Sequence, residues 1–333
     1  MPPPDSPVTL PPMEATHPFP AATAGQNPPW WRIGRASIGF LLDTMGAGRG
    51  TGDVIAPLIL SVVLEANMAP VTQDPVLSAR YGTLDEGMPD ELRRPVSINA
   101  VAGSLQLPYE TVRRRVGQLA ENGALTITPR GLVVPGALIN NPFYLLTAVA
   151  RYERLKAFYF ELKGLGAMES AALRPNDVPT YPSAPVRAAN RLVSEYVLRV
   201  VETVMRGVGD PVSGLLLLEM GRANAARLDA IDLQVEGPIP DSRRAPISML
   251  ALSKRAGLPA ETVRRHVKKL EADGFCRNVR GGKLAAVEQL MRGDPERGGG
   301  LAENLQNLQR LFAKCASMGV IAYWEAEAEA AAV

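Results

Sequence analysis

The chain has 333 residues, of which 46% are hydrophobic and 21% charged, with a formal net charge of +2. That is enough chain, and ordinary enough in composition, for a soluble globular protein of two or three cores. The only cysteines, Cys276 and Cys315, form no close pair in sequence, which excludes a disulfide framework and fits a reducing cytoplasm.

Residues 1–29 hold ten prolines and read as a disordered tail. Nothing there is basic and then apolar, so no signal peptide is expected. A helix is expected near Ile38–Met45. The run Gly46-Ala-Gly-Arg-Gly-Thr-Gly52 lacks the lysine of a phosphate-binding loop and follows no strand pattern, so it reads as a joint between helices. Gly52-Asp53 then opens an apolar helix with Leu58, Ile59, Leu60 and Leu64. The run from Val54 to Leu64 contains Pro57 and is shorter than the roughly 20 residues that span a bilayer, so a buried helix is expected, with no membrane contact.

Residues 97–123 and 248–274 align without gaps at an offset of 151, and 12 of these 27 positions are identical. The shared core is Leu-Pro-x-Glu-Thr-Val-Arg-Arg-x-Val-x-x-Leu-x-x-x-Gly, a repeated supersecondary unit. In the first copy Val112, Val116 and Leu119 fall on one helical stripe, and Arg114 lies about 200° from Val112. Val263, Val267 and Leu270 repeat the stripe, with Arg265 pointing outward. Pro108 and Pro259 suit a first helical turn, where a missing N–H costs nothing. Gly257 suits the tight turn before the second helix; Gln106 at the equivalent place predicts a different or strained turn. Gly123 and Gly274 end the helices as left-handed caps. Each motif is followed by a short hairpin, with turns at Pro129-Arg-Gly131 and Arg280-Gly-Gly282.

Asn141-Pro142 and Asp294-Pro295 start further helices, the latter around Leu308, Leu311 and Cys315. The aromatic residues Phe143, Tyr144, Tyr152, Phe158, Tyr159 and Phe160 read as core or as the interface between halves, with a ligand pocket as the alternative. Residues 170–186 are proline-rich and read as a linker. A helix over Val186–Met205 follows, then one opened by Gly209-Asp210 with Leu215 to Leu218, and the alanine-acidic segment 323–333 extends a helix or frays. The expected organisation is a first half at 30–169 (motif 95–135) and a second at 187–322 (motif 245–286).

The helix–turn–helix–hairpin pattern resembles the winged helix-turn-helix domain, and is similar to bacterial regulators of the MarR, GntR and IclR types. The fold implied is mainly α with small β-hairpins: tandem winged helix-turn-helix domains with flanking helices, related by a pseudo-two-fold. The resemblance implies a transcriptional regulator that binds double-stranded DNA, each second helix in the major groove and each hairpin on the backbone or minor groove. It carries DNA contact to Thr111, Arg113, Arg114, Gln118 and Arg130, and to Thr262, Arg264, Arg265, Lys268, Arg280 and Lys283, the last two at the tip of the second hairpin. Arg114 and Arg265 are the candidates for bidentate contact with guanine. Glu110 and Glu261 are expected to pair with arginines rather than touch bases. The second motif carries more Lys and Arg than the first and is the stronger electrostatic candidate.

Alternatives of other classes are a plasmid-type replication initiator, which also pairs two winged helices, and an adaptor that binds proteins. Dimerisation through the flanking helices stays open, as does an unnamed effector. The expected location is the bacterial cytoplasm, at the nucleoid. No paired nucleophile and base, no His-x-x-x-His and no Cys-x-x-Cys occur, so neither an enzyme, a metal site nor a cofactor is expected. His266 has no ligand company, and reads as a satisfied surface histidine or a phosphate contact. Cys276 on the hairpin reads as a small buried hydrophobe, with redox sensing as the alternative.

Overall fold

A computed structural model describes residues 29–46, 55–167, 178–286, 289 and 300–332. The expectations placed on 1–28, on most of the glycine run, on the proline-rich stretch up to 177 and on the Asp294-Pro295 helix start lie outside the described residues. Helices dominate: α1 (Trp30–Gly46), α2 (Ile55–Gln73), α3 (Pro75–Arg80), α4 (Ile98–Leu105) and α5 (Tyr109–Glu121) lead to the hairpin β1 (Thr126–Thr128) and β2 (Gly131–Val133). After α6 (Gly136–Ile139) come the long helices α7 (Pro142–Gly164) and α8 (Val186–Val208), then α9 (Pro211–Asn224) and α10 (Ala230–Gln234). The last part runs α11 (Met249–Ala256), α12 (Ala260–Ala272), the hairpin β3 (Cys276–Val279) and β4 (Gly282–Ala285), α13 (Gly300–Ser317) and α14 (Val320–Ala331).

Side-chain caps fix several helix starts. Asn141 accepts from the Tyr144 N–H at 2.8 Å, and Asp210 from the Ser213 N–H at 2.8 Å, so Asn141-Pro142 and Gly209-Asp210 begin helices as the sequence predicts. Ser97 and Ser248 cap α4 and α11 in the same way. Gly209, at φ 96°, closes α8 in the left-handed conformation.

The packing crosses the two sequence halves. One core joins α1 and α7 to α8, α9, α11, α12, α13 and α14. Its centre is aromatic: Phe40 and Phe158 stack with centroids 4.4 Å apart, Tyr196 tilts against Phe40, and Trp324 lies 5.6 Å from Tyr159. Tyr152, Phe158 and Tyr159 are thus core residues, but Phe143 is 70% exposed and belongs to no core. A second core joins α2 to α4, α5 and the first hairpin through Leu58, Ile59, Val101, Val112, Val116 and Leu132. Helix α2 runs past the apolar run seen in the sequence, as far as Gln73. By length and composition it could cross a membrane, but its buried Leu58, Ile59, Val62 and Val63 are packed by protein, as in the core helix of a globular fold.

The two helix–turn–helix–hairpin stretches share local details at residues 151 apart. Val96 bridges Leu132, and Ile247 bridges Lys283. Short 3-10 turns occupy Asp90–Leu92 and Asp241–Arg243. Gly131 and Gly282 both take positive φ, and a Cβ on either would collide with the backbone of Val96 or Ile247. Gln106 adopts φ 50° and ψ 37°, the left-handed geometry of Gly257 at φ 64°. The turn therefore does not differ, and Gln106 is the one non-glycine residue with positive φ among the described residues.

Each hairpin is also held by a buried asparagine from the preceding long helix. On α2, Asn67 donates to the carbonyls of Arg94 (2.8 Å) and Leu132 (3.1 Å) and accepts from the Val134 N–H (2.8 Å). On α9, Asn224 donates to Ala245 (2.8 Å) and Lys283 (3.1 Å) and accepts from Ala285 (2.9 Å). Beside them Arg93 reaches Asp90 at 2.7 Å, and Arg244 reaches Asp241 at 3.3 Å and the Ala285 carbonyl at 2.6 Å.

Candidate nucleic-acid interface

Helix α12 is amphipathic because Val263, Val267 and Leu270 recur on one face. All three are buried, each side chain stabilising the docked helix by about 1.5–3 kcal/mol. Pro259 stands one position before the first turn, as the N-cap, where its carbonyl accepts from the Val263 N–H. Pro108 does the same for α5. Both prolines thus sit one residue earlier than the sequence spacing suggests, and lose no hydrogen bond.

The opposite face of α12 carries Arg264, Arg265, Lys268 and Lys269, all exposed. Their partners separate them. Arg264 is tied to Glu261 at 2.6 Å, and this bond holds the Glu261 carboxyl below the usual range. Lys269 turns back to the end of α8, donating to the Val208 carbonyl at 2.7 Å, where a cation suits the helix terminus. Arg265 forms no ion pair among the described residues; its Nη2 lies 3.4 Å from the Nε2 of His266. Lys268 forms no ion pair among the described residues, nor does Arg280, exposed at the turn of the second hairpin.

Lys283 differs from its sequence reading. It stands opposite Asn278 on β4, and its ammonium bonds Glu271 Oε2 at 2.8 Å with only 15% of the side chain exposed. It fastens the hairpin to the last turn of α12 instead of projecting from the tip. Other cations of this stretch are similarly committed: Arg277 to Asp241 at 2.6 Å and Arg255 to Glu219 at 3.3 Å. The basic surplus reduces to Lys254, Arg265, Lys268 and Arg280. Thr262 sits half-buried in the first turn.

The first stretch has the same arrangement with less charge. Arg113 pairs with Glu110 at 2.9 Å, as Arg264 does with Glu261. Arg115 donates to the Gln118 Oε1 at 3.0 Å, which partly occupies Gln118. Arg114 on the helix and Arg130 at the hairpin turn are exposed, with no ion pair among the described residues, and Thr111 is half-buried. Two exposed apolar side chains lie alongside, Tyr109 at 44% and Ile127 at 56%.

His266 occupies a place that sequence reasoning missed. Its Nδ1 is 2.9 Å from Ser213 Oγ and 3.2 Å from Asp210 Oδ1, the cap of α9. Ser213 donates its own hydroxyl to Asp210 at 2.7 Å, so Nδ1 of His266 carries the proton facing them. Burial holds His266 below the ordinary imidazole value; Asp210 opposes this, and Arg265 and Lys269 reinforce it. Burial also works against ionisation of Asp210, but the hydrogen bonds from Ser213, with His266 and Lys269, outweigh it and keep the carboxyl low. The imidazole is therefore a docking contact between α12 and α9. The only signal in the sequence was the polar-Pro helix start at Asp210.

Cys276 is buried, and burial pushes its thiol up to about 11. That is the small-hydrophobe reading of this residue. Among the described residues no cluster of His, Cys, Asp and Glu could hold a metal.

No curated protein and no solved structure matches the chain. The family model described as winged helix-turn-helix DNA-binding matches residues 242–275. That span contains α11, α12 and the Arg265–Lys268 face. The C-terminal half of the chain thus carries a winged helix-turn-helix domain of the kind that binds double-stranded DNA.

Proposed function

We propose that this protein is a sequence-specific transcriptional regulator of the cytoplasm and nucleoid, reading DNA with α12 in the major groove and the β3–β4 hairpin on the flanking backbone. The observation that carries this is the separation of cations on α12. Arg264 and Lys269 are consumed by protein partners, while Arg265, Lys268 and the hairpin-tip Arg280 are left for phosphates and base edges. Arg265 is suited to bidentate contact with guanine.

We further propose that α4, α5 and β1–β2 form a second winged helix, with Arg114 and Arg130 in the equivalent roles. The matching asparagine clamps, 3-10 turns and Glu–Arg pairs support this. Two such units in one chain would read an asymmetric site, since Tyr109, Arg115, Gly117 and Gln118 face Ala260, His266, Lys268 and Lys269 at the aligned positions.

A second reading applies to the first stretch alone. Its smaller basic surplus and its exposed Tyr109 and Ile127 favour a protein partner on that face. Selection of sheared genomic DNA by the wild-type chain, Arg114→Ala and Arg265→Ala separates the readings. Discrete promoter sites lost in both variants establish a two-headed regulator. Loss in Arg265→Ala alone makes the first stretch an interaction module. Enrichment of a single origin in place of promoters marks a replication initiator, and no enrichment by the wild type removes the DNA-reading proposal.

A further inference from the structure

Helices α2, α7 and α8 line an open cleft. Leu64 and Met68 of α2, Ile139, and Tyr144 and Ala148 of α7 form its apolar wall. One end is cationic, lined by Arg187 and Arg191 of α8. On α7, Arg151 follows Tyr144 and Ala148 at the i+7 and i+3 positions of one helical face.

The Nε of Arg187 and Arg191, and that of Arg151 on α7, is in each case buried without a hydrogen-bond partner, a state they share with other arginines among the described residues. None of the three forms an ion pair among the described residues. Arg187 donates to the side-chain oxygen of Asn140 at 2.7 Å, and Arg191 to the carbonyls of Tyr81 (2.9 Å) and Ser78 (3.0 Å), all neutral acceptors. Beside them lie Tyr144, a phenol that burial keeps protonated, and Arg93, a cation already paired with Asp90. Burial, reinforced by the neighbouring Arg187 and opposed by Tyr181, lowers Arg191 to about 10. Cations drawn partly out of water are ordinarily paired, because leaving one uncompensated is costly. Among the described residues Arg187 and Arg191 bond only neutral acceptors, although Glu65 and Glu195 line the same cleft.

We propose that this cleft binds a small monocarboxylate with an apolar body, its carboxylate at Arg187 and Arg191 and its body against Met68, Tyr144 and Ala148. Two carboxylates also line the cleft, Glu65 of α2 and Glu195 of α8, one turn beyond Arg191. Burial and Glu195 raise Glu65, whereas at Glu195 burial is outweighed by hydrogen bonds from Lys314 and Arg199, which keep it low, so a second anionic group meets the Glu195 carboxylate. A multiply charged phosphate therefore fits less well than a monoanion. Met68 is the neighbour of Asn67, whose amide holds the first hairpin. An occupant thus bears on the helix that positions β2, an effect on DNA affinity that rests on the reading proposed above.

The site is tested without DNA, by thermal denaturation of the full chain at fixed ionic strength. The probes are butyrate, hexanoate and benzoate, each beside its neutral amide. At least one carboxylate is expected to raise Tm progressively, as RT ln(1 + [L]/Kd) prescribes, with a Kd from that dependence at least about tenfold below that of its amide. Arg187→Gln is expected to weaken it at least about tenfold, and Ala148→Leu, which fills the cleft from α7, to abolish the shift; circular dichroism reports whether each variant is folded. No rise in Tm with any of the three acids, amides matching their acids, or unchanged binding in folded Arg187→Gln overturns the proposal. A carboxylate-specific rise in a protein that selects no DNA keeps the site and removes only its link to the hairpin.

Discussion

Gln106 and Gly257 hold the same left-handed turn, at φ 50° and φ 64°, although only one of them is a glycine. Left-handed backbone costs an L-residue roughly 1–2 kcal/mol, and glycine escapes that cost at the expense of chain entropy. Gln106→Gly is therefore expected to stabilise the protein by about 0.5–1 kcal/mol, and Gly257→Gln to destabilise it by about 1 kcal/mol or more. Urea denaturation of the two variants checks both signs.

The asparagine clamps predict a larger effect. Asn67→Ala removes two donated bonds and one accepted bond, Asn224→Ala two donated and two accepted, and they strand a buried N–H at Val134 and Ala285 respectively. Each stranded group costs about 1–3 kcal/mol, so a loss of about 2–4 kcal/mol is expected. Amide exchange is the local check: Asn67→Ala deprotects Val134 before Ala285, and Asn224→Ala does the reverse.

Cation partners set the order of effects on DNA. Arg265→Ala is expected to cost about 1–3 kcal/mol and to relax preference at one base pair. Lys268→Ala and Arg280→Ala weaken binding across sequences, each reducing the salt slope by about 0.9. Arg264→Ala and Lys283→Ala are expected to do less, because those side chains already bond Glu261 and Glu271. Fluorescence anisotropy on the selected site, repeated over a salt series, ranks them.

Acid is expected to loosen α12 from α9. His266 lies below its unfolded value of about 6.5, so the unfolded chain binds its proton first as pH falls. The stability this provides is complete above about pH 6.5 and is lost as pH drops through the folded value. His266→Gln is expected to flatten the dependence of Tm on pH between 7.5 and 5.5 (roughly the imidazole range). An equal slope in wild type and variant refutes the assignment.

Cys276 and Cys315 are both buried, and burial raises both thiols, Cys276 to about 11. Neither is expected to react with a disulfide reagent in the native protein at pH 8, while both react after denaturation. Fast native labelling of Cys276 would revive a redox role for the hairpin.

The repeated motif made the two helix–turn–helix–hairpin stretches legible, since Val112, Val116 and Leu119 and their counterparts show helical period and Gly131 and Gly282 mark the hairpin turns. The clamps were not legible. Asn67 and Asn224 are 157 apart rather than 151, because the stretch joining helix to motif is six residues shorter in the second copy. The gapless alignment that exposes the repeat therefore passes them by. Charge was legible as composition but not as availability: Lys283 meets Glu271, Arg277 meets Asp241 and Arg255 meets Glu219 across separations that carry no period. The cationic cleft draws Arg187 and Arg191 of α8 beside Tyr144 of α7, residues that only tertiary packing brings together.

The core shared by α1, α7, α8 and α13 has a consequence for the chain as a covalent object. Phe40 and Phe158 lie before residue 168, while Tyr196 and Phe312, packed against them, lie after 177. A chain severed between those points would remain one particle, held by the same aromatic contacts. Its two fragments would complement each other in trans, melt together, and show a Tm that rises with concentration, whereas the intact chain's would not. Neither fragment alone could complete that core.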